Sequence, residues 1–218
     1  MSIKENVKKL MAELGPDILL VAAVKGRTPA EVNECVEAGA NVIGQNYLKD
    51  AERAFEIIGD RATWHFIGRL QRNKIARIVR LFDVIETLDS LEMAEQIDRE
   101  CASIGKIMPV LIEVNSGEEE QKNGVSPHEV TEFAKQVSVF ENISITGLMT
   151  MGPLLAVSEG YRHYFKSTRQ AFDELKKAKL PRVQMLYLSM GMTDSYQIAI
   201  EEGANVVRIG SKIFGPRS

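Results

Sequence analysis

The sequence is short of cysteine, histidine and long apolar runs, and each shortage removes a class of protein. Only two cysteines, Cys35 and Cys101, occur in 218 residues. They sit in helical patterns without metal-type spacing, which excludes a disulfide framework and suits a reducing compartment. The three histidines, His65, His128 and His163, form no HxxxH or HxH cluster, so no metal site is expected. No run reaches the 18 or so apolar residues of a membrane helix. Met1 to Leu14 carries lysines and leucines at helical spacing where a signal peptide would have an apolar core. A cytoplasmic protein without membrane contacts is expected. Excess charge is lacking too: 27 Lys and Arg against 30 Asp and Glu leave a net charge of −3, which does not fit a nucleic-acid binder. Arg69, Arg72, Lys74, Arg77 and Arg80 do cluster around one expected helix, and read as a solvated face and an anion-steering rim. No stretch rich in Pro, Gly or Ser marks a linker and no repeat is visible, so residues 1–218 are read as one domain.

What is present is an alternation. Eight short apolar, β-branched runs occur at Ile18–Val24, Asn41–Gly44, Thr63–Ile67, Phe82–Thr87, Pro109–Val114, Ile143–Met149, Val183–Leu188 and Asn205–Ile209. Amphipathic segments begin between them near Pro29, Tyr47, Asn73, Ser90, Pro127, Tyr161 and Asp194, and one more helix opens the chain. Thr28-Pro29-Ala30-Glu31 and Ser126-Pro127-His128-Glu129 each offer a hydroxyl N-cap, proline at N1 and glutamate at N3. Gly39, Gly105 and Gly203 fall where helices should stop. Strands alternating with helices of this length indicate a parallel sheet. Eight strands in this length fit a single α/β domain, a (β/α)8 barrel of the TIM type preceded by an N-terminal helix. An open doubly wound sheet is the alternative, but Lys25-Gly26-Arg27-Thr28 follows the first strand where a GxGxxG turn would be expected.

In such a barrel the functional residues lie at the carboxyl ends of the strands. Those ends read Lys25, Gln45 and Asn46, His65, Glu86, Glu113 with Asn115, Met149, Ser189 and Arg208. By period-two alternation Lys25 shares a face with Leu19, Val21 and Ala23. If that face is the barrel interior, the amine emerges into a partly desolvated mouth, a setting suited to attack on a carbonyl. Barrels often bind phosphate with the loops after strands 7 and 8. Here those loops are Ser189-Met190-Gly191-Met192-Thr193 and Arg208-Ile209-Gly210-Ser211, both pairing small residues with hydroxyls. Opposite a lysine, they describe a site for an aldehyde that carries a phosphate.

Long blocks of the sequence then carry a resemblance. Val21-Ala22-Ala23-Val24-Lys25-Gly26-Arg27-Thr28-Pro29, Gly44-Gln45-Asn46-Tyr47, Trp64-His65-Phe66-Ile67-Gly68-Arg69-Leu70-Gln71-Arg72-Asn73-Lys74, Gly147-Leu148-Met149, Leu188-Ser189-Met190-Gly191-Met192 and Val207-Arg208-Ile209-Gly210-Ser211 resemble the pyridoxal phosphate homeostasis protein family. The resemblance implies a fold like the barrel domain of bacterial alanine racemase and pyridoxal 5'-phosphate (PLP) held as a covalent imine on Lys25. It implies a phosphate held by Ser189, Gly210 and Ser211, Arg208 near the pyridine nitrogen, and Asn46, His65 and Met149 close to the ring. Gln45 stands where the family often has glutamate, Ser211 where threonine is common, and Arg27 where a second lysine is frequent.

The resulting expectation is an intracellular PLP carrier or buffer without dedicated turnover, a monomer, with PLP-dependent apoenzymes as partners. Two rivals remain. A racemase needs a second base, which alanine racemases take from a tyrosine of a further domain that is not encoded before Ser218. A cofactor-free enzyme could instead form a lysine imine with a sugar phosphate. Residues 116–124 are expected to form a polar solvated loop on the active face, with gating of the mouth as the alternative, and Gly152–Glu159 another loop. Methionines 149, 151, 190 and 192 are expected to be pliable walls around the cofactor.

Overall fold

Alternate residues of the first apolar run face opposite ways, and the two faces find different partners. Leu19 and Val21 pack with Val42 and Val206 in a small inner cluster. Leu20, Ala22 and Val24 join the large outer core with Leu10, Val32 and Cys35. A strand whose both faces are buried belongs in a parallel sheet covered by helices.

The computed structural model describes residues 2–119, 121–152 and 158–216. Its elements are α1 (Ile3–Leu14), β1 (Leu19–Ala23), α2 (Pro29–Glu37), β2 (Val42–Gln45), α3 (Leu48–Ile58), β3 (Thr63–Phe66), α4 (Ile75–Leu81), β4 (Val84–Leu88) and α5 (Leu91–Ala102). They continue with β5 (Met108–Glu113), α6 (Val130–Val137), β6 (Ile143–Met149), α7 (Arg162–Ala178), β7 (Val183–Ser189), α8 (Tyr196–Glu201), β8 (Val206–Ile209) and α9 (Ser211–Phe214). The strands close in chain order into a parallel barrel, β8 returning to β1. This is the expected (β/α)8 barrel with an N-terminal helix. Residues 153–157 of the second expected loop lie outside the described residues.

Local chemistry explains several boundaries. Thr28 caps α2 as a capping box, its hydroxyl accepting from the Glu31 N–H while Glu31 accepts from the Thr28 N–H. Gly39 and Gly203 take φ of +110° and +93°, the left-handed turn that ends α2 and α8. The second expected cap is corrected. Ser126 does not start α6, which begins at Val130, because the Glu129 N–H that its hydroxyl would accept bonds to the Ser126 carbonyl at 2.9 Å instead and residues 127–129 form turns. α9 was not expected; its 4 residues are too few to show a period. Among the described residues no helix is long and apolar enough to cross a membrane.

The register places the mouth. Val21 pairs with Val42 on one side and Arg208 on the other, and Ala23 pairs with Gly44. Lys25, two residues beyond Ala23, and Arg208 therefore rise on the inner face of adjacent strands.

Candidate functional site

Strand alternation and closure bring Lys25, Asn46, Arg208, Gly210 and Ser211 to one cavity of about 330 Å³, which Met151, Tyr161, Met192, Thr193 and Ser195 also line. That volume lies at the small end of ligand sites. The Lys25 amine sits 5.2 Å from the centroid of the Tyr47 ring, a half-exposed lid on one side. Asn46 is aimed by its neighbours: its amide donates to the Ile67 carbonyl at 3.1 Å. The buried Gln45 oxygen accepts from the Asn46 and Tyr47 N–H groups at 2.8 and 3.2 Å. Gln45 thus works through backbone geometry, a role that needs an acceptor oxygen and no charge.

The loops after β7 and β8 contribute hydroxyls and close backbone. Ser211 Oγ and Thr193 Oγ1 lie 2.9 Å apart, and Ser195 Oγ accepts from the Met192 N–H at 3.2 Å. A Cβ on Gly210 would come within 3.0 Å of the Ala23 carbonyl oxygen, so a side chain there would crowd the cradle. Arg27 bolts this end shut. Its guanidinium donates to the Gly215 carbonyl at 2.8 Å and stacks 5.2 Å from Phe214. The expected loop after β7 brings Thr193 to the cavity, while sequence reasoning missed Arg27 as a fastener and Ser195 and Tyr161 as lining residues. For Ser195 the signal was a second hydroxyl two residues beyond Thr193.

Ser189, His65 and Met149 are not among the lining residues; all three are buried. Ser189 Oγ accepts from Arg208 Nη1 at 2.7 Å and donates to Glu86 Oε2 at 2.7 Å. That hydroxyl is held within the protein, because β7 and β8 place Arg208 against it. His65 Nδ1 meets Glu86 Oε1 at 2.6 Å. Arg208 also donates to the carbonyls of Ser189 and Thr150 at 2.9 and 2.8 Å, and lies 3.9 Å from Glu86. Of the four methionines, Met151 and Met192 line the cavity, while Met149 and Met190 are buried in the protein.

Electrostatics follow from these contacts. Burial alone would raise the Glu86 carboxyl, but the His65 hydrogen bond, the interaction with His65 and Arg208, and the Ser189 hydroxyl outweigh it, so it stays below the ordinary glutamate value. Burial lowers the Arg208 value against Glu86 and Glu113, and a guanidinium remains charged all the same. Glu113 is opposite in behaviour: burial, then Asp89, push it up to about 7, against Arg208 and Arg69. Burial pushes the Cys35 thiol up to about 12 and Cys101 to about 11, which suits inert core thiols. Among the described residues no group of three or more His, Cys, Asp or Glu is placed to hold a metal.

The residues present fit a phosphorylated aldehyde: an amine, a group of hydroxyls, a glycine and a fixed guanidinium line the same cavity. Comparisons with known proteins point the same way. The family described as "Alanine racemase, N-terminal domain" matches residues 1–218. A protein of Aquifex aeolicus (strain VF5) named pyridoxal phosphate homeostasis protein is 37% identical over 199 residues, covering 91% of this chain and 86% of that one. The structure of PipY from Synechococcus elongatus PCC7942 without PLP is similar at TM-score 0.91 and 30% identity. With PLP bound it is similar at 0.89 and 29%, each covering 98% of this chain and 100% of that chain. An alanine racemase of Clostridium difficile 630 shares the fold at TM-score 0.81 and 17% identity, over 99% of this chain and 56% of its own. The chain therefore belongs to the alanine racemase N-terminal domain family, and within it to the pyridoxal phosphate homeostasis proteins.

Proposed function

We propose that this chain binds PLP as a covalent imine on Lys25 and serves cytoplasmic PLP homeostasis as a monomeric carrier or buffer, without a dedicated catalytic turnover. The observation that carries the reading is that the Lys25 amine lines one cavity together with Gly210, Ser211, Thr193 and Ser195. The names of the relatives and the PLP-bound PipY structure support it. Bound there, PLP supplies an aldehyde for reversible imine formation and a ring that can act as an electron sink.

The chain's own residues favour holding over turnover. Lys25 offers the amine, Asn46 and Tyr47 flank it, and the hydroxyl cradle offers hydrogen-bond donors to a phosphate. Arg208 stands against the inner wall with three hydrogen bonds and the Glu86 charge fixing it. A guanidinium has no proton to give up, so a ring nitrogen placed against it stays unprotonated and withdraws electrons weakly. Ser189, Glu86 and His65 act through Arg208, as positioning residues. Partners on this reading are PLP and PLP-dependent apoenzymes.

The test is spectroscopic. The chain incubated with PLP and freed of excess should be yellow, bleach with borohydride, and restore activity to a PLP-requiring apoenzyme added to it. It should leave the α-proton of L-alanine unexchanged in heavy water. A colourless chain would refute the binding, and rapid α-proton exchange would refute the absence of turnover.

A further inference from the structure

Beside the Lys25 cavity lies a second one, of about 250 Å³, lined by Arg69, Glu113, Asn115, Ser116 and Lys122 and sharing Met151 with the first. Most of its polar wall is already committed. Asn115 donates to the Glu119 carbonyl and accepts from the Glu119 N–H. Ser116 Oγ is 2.9 Å from Thr150 Oγ1, and Lys122 pairs with Glu119. Glu113 is the exception. It is only 7% exposed at the end of β5, and among the described residues its carboxyl makes no hydrogen bond and no ion pair; its oxygens open onto the cavity, the sealed side-chain oxygen without a hydrogen bond being Glu119 Oε1 instead. Buried carboxyls without partners are rare because desolvation costs several kcal/mol that nothing returns. One that lines a cavity has space for a partner that is not part of the chain.

We propose that this second cavity binds a primary ammonium group, with the Glu113 carboxylate as its partner. The groups that face Glu113 electrostatically are Asp89 after β4, Arg69 after β3 and Arg208 on β8. Arg208 is occupied by Ser189 and Thr150, and Arg69 is exposed at the rim. The nearest unmet demand is therefore for positive charge with N–H donors, which an ammonium supplies in a compact form. A cation seated there stabilises the ionised carboxylate and pulls its proton equilibrium down from the raised value near 7. Arg69 at the rim leaves room for an anionic group on the same ligand. A free amino acid and a lysine side chain of another protein both present this chemistry.

The shared wall at Met151 sets the ammonium next to the Lys25 cavity. The proposal rests on Glu113 and its surroundings, and stands whether or not Lys25 carries PLP.

The test is a ligand-observed NMR titration of butylammonium, L-alanine and Nα-acetyl-L-lysine amide into the wild type and Glu113→Gln. Butanol and butyrate are the controls. Borohydride treatment beforehand removes imine exchange, so failure of the Lys25 reading would leave this titration interpretable. At pH about 8 butylammonium should bind the wild type, and Glu113→Gln should weaken it at least about tenfold, the loss of one charge-assisted contact. Lowering the pH to about 6 protonates Glu113 and should weaken binding likewise, whereas Arg69→Gln should leave it intact. Tighter binding of L-alanine than of butylammonium would assign the rim to a carboxylate and the ligand to free amino acids. Tighter binding of the lysine amide would assign it to a protein side chain. Equal affinity in Glu113→Gln, equal binding of butanol, or no binding of any amine would overturn the proposal.

Discussion

Glu86 has no exposed surface and holds Ser189 on one oxygen and His65 on the other, with Arg208 alongside. Removing it leaves a buried guanidinium without its counter-charge, which costs about 3–5 kcal/mol. Glu86→Ala should lose that amount in urea unfolding at neutral pH. The sign of the pH dependence is set by the depressed carboxyl: its contribution is full above the ordinary glutamate range and is lost as pH falls through the folded-state value. The gap between wild type and variant should therefore narrow in acid. A constant gap would mean that the carboxylate's charge does not stabilise Arg208. Little of this network was legible in the sequence. Glu86 and His65 stand out as polar strand ends, but the Ser189 contact spans 103 residues and depends on barrel closure. Lys25 was legible because alternation along one strand fixes its face, and Arg208 by the same rule from β8. Glu113 was legible as a polar strand end and Arg69 as part of a basic cluster, but a missing partner is a three-dimensional fact.

Elements were read from the chain where local chemistry decides them. Ile143–Met149 coincides with β6, and the capping box at Thr28 starts α2 as expected, since proline and glutamate there agree with the threonine. Thr28→Ala removes the acceptor of the Glu31 N–H and should cost about 1 kcal/mol, read as a lower urea midpoint with unchanged slope. No change in midpoint would mean that the cap adds nothing beyond what Pro29 fixes. The same pattern at Ser126 failed because the Glu129 N–H bonds to the Ser126 carbonyl in a turn and leaves the hydroxyl nothing to cap. Leu186 and Tyr187 of β7 are exposed although they belong to one of the eight apolar runs.

At the scale of the molecule, closure turns separate strand ends into one site. β8 returns to β1, so Arg208 arrives beside the strand that ends at Lys25, and the loops after β7 and β8 face that amine. The alternation of eight runs with helices made this architecture legible, while the second cavity was not, because its walls come from loops after β3, β5 and β6. α1 is bound into the same unit: Glu13 contacts Tyr196 and Lys212, and Asn6 donates to the Ile213 carbonyl at 2.9 Å. The proposed PLP function depends on a bond between Lys25 and the aldehyde carbon of PLP. Mass spectrometry of peptides from the wild type and from Lys25→Ala, after incubation with PLP and borohydride reduction, detects that bond. A pyridoxyl-phosphate adduct is expected on the wild-type peptide that contains Lys25, and none at that position in the variant. An unmodified Lys25 peptide in the wild type, or an adduct confined to another lysine, would contradict the proposed bond.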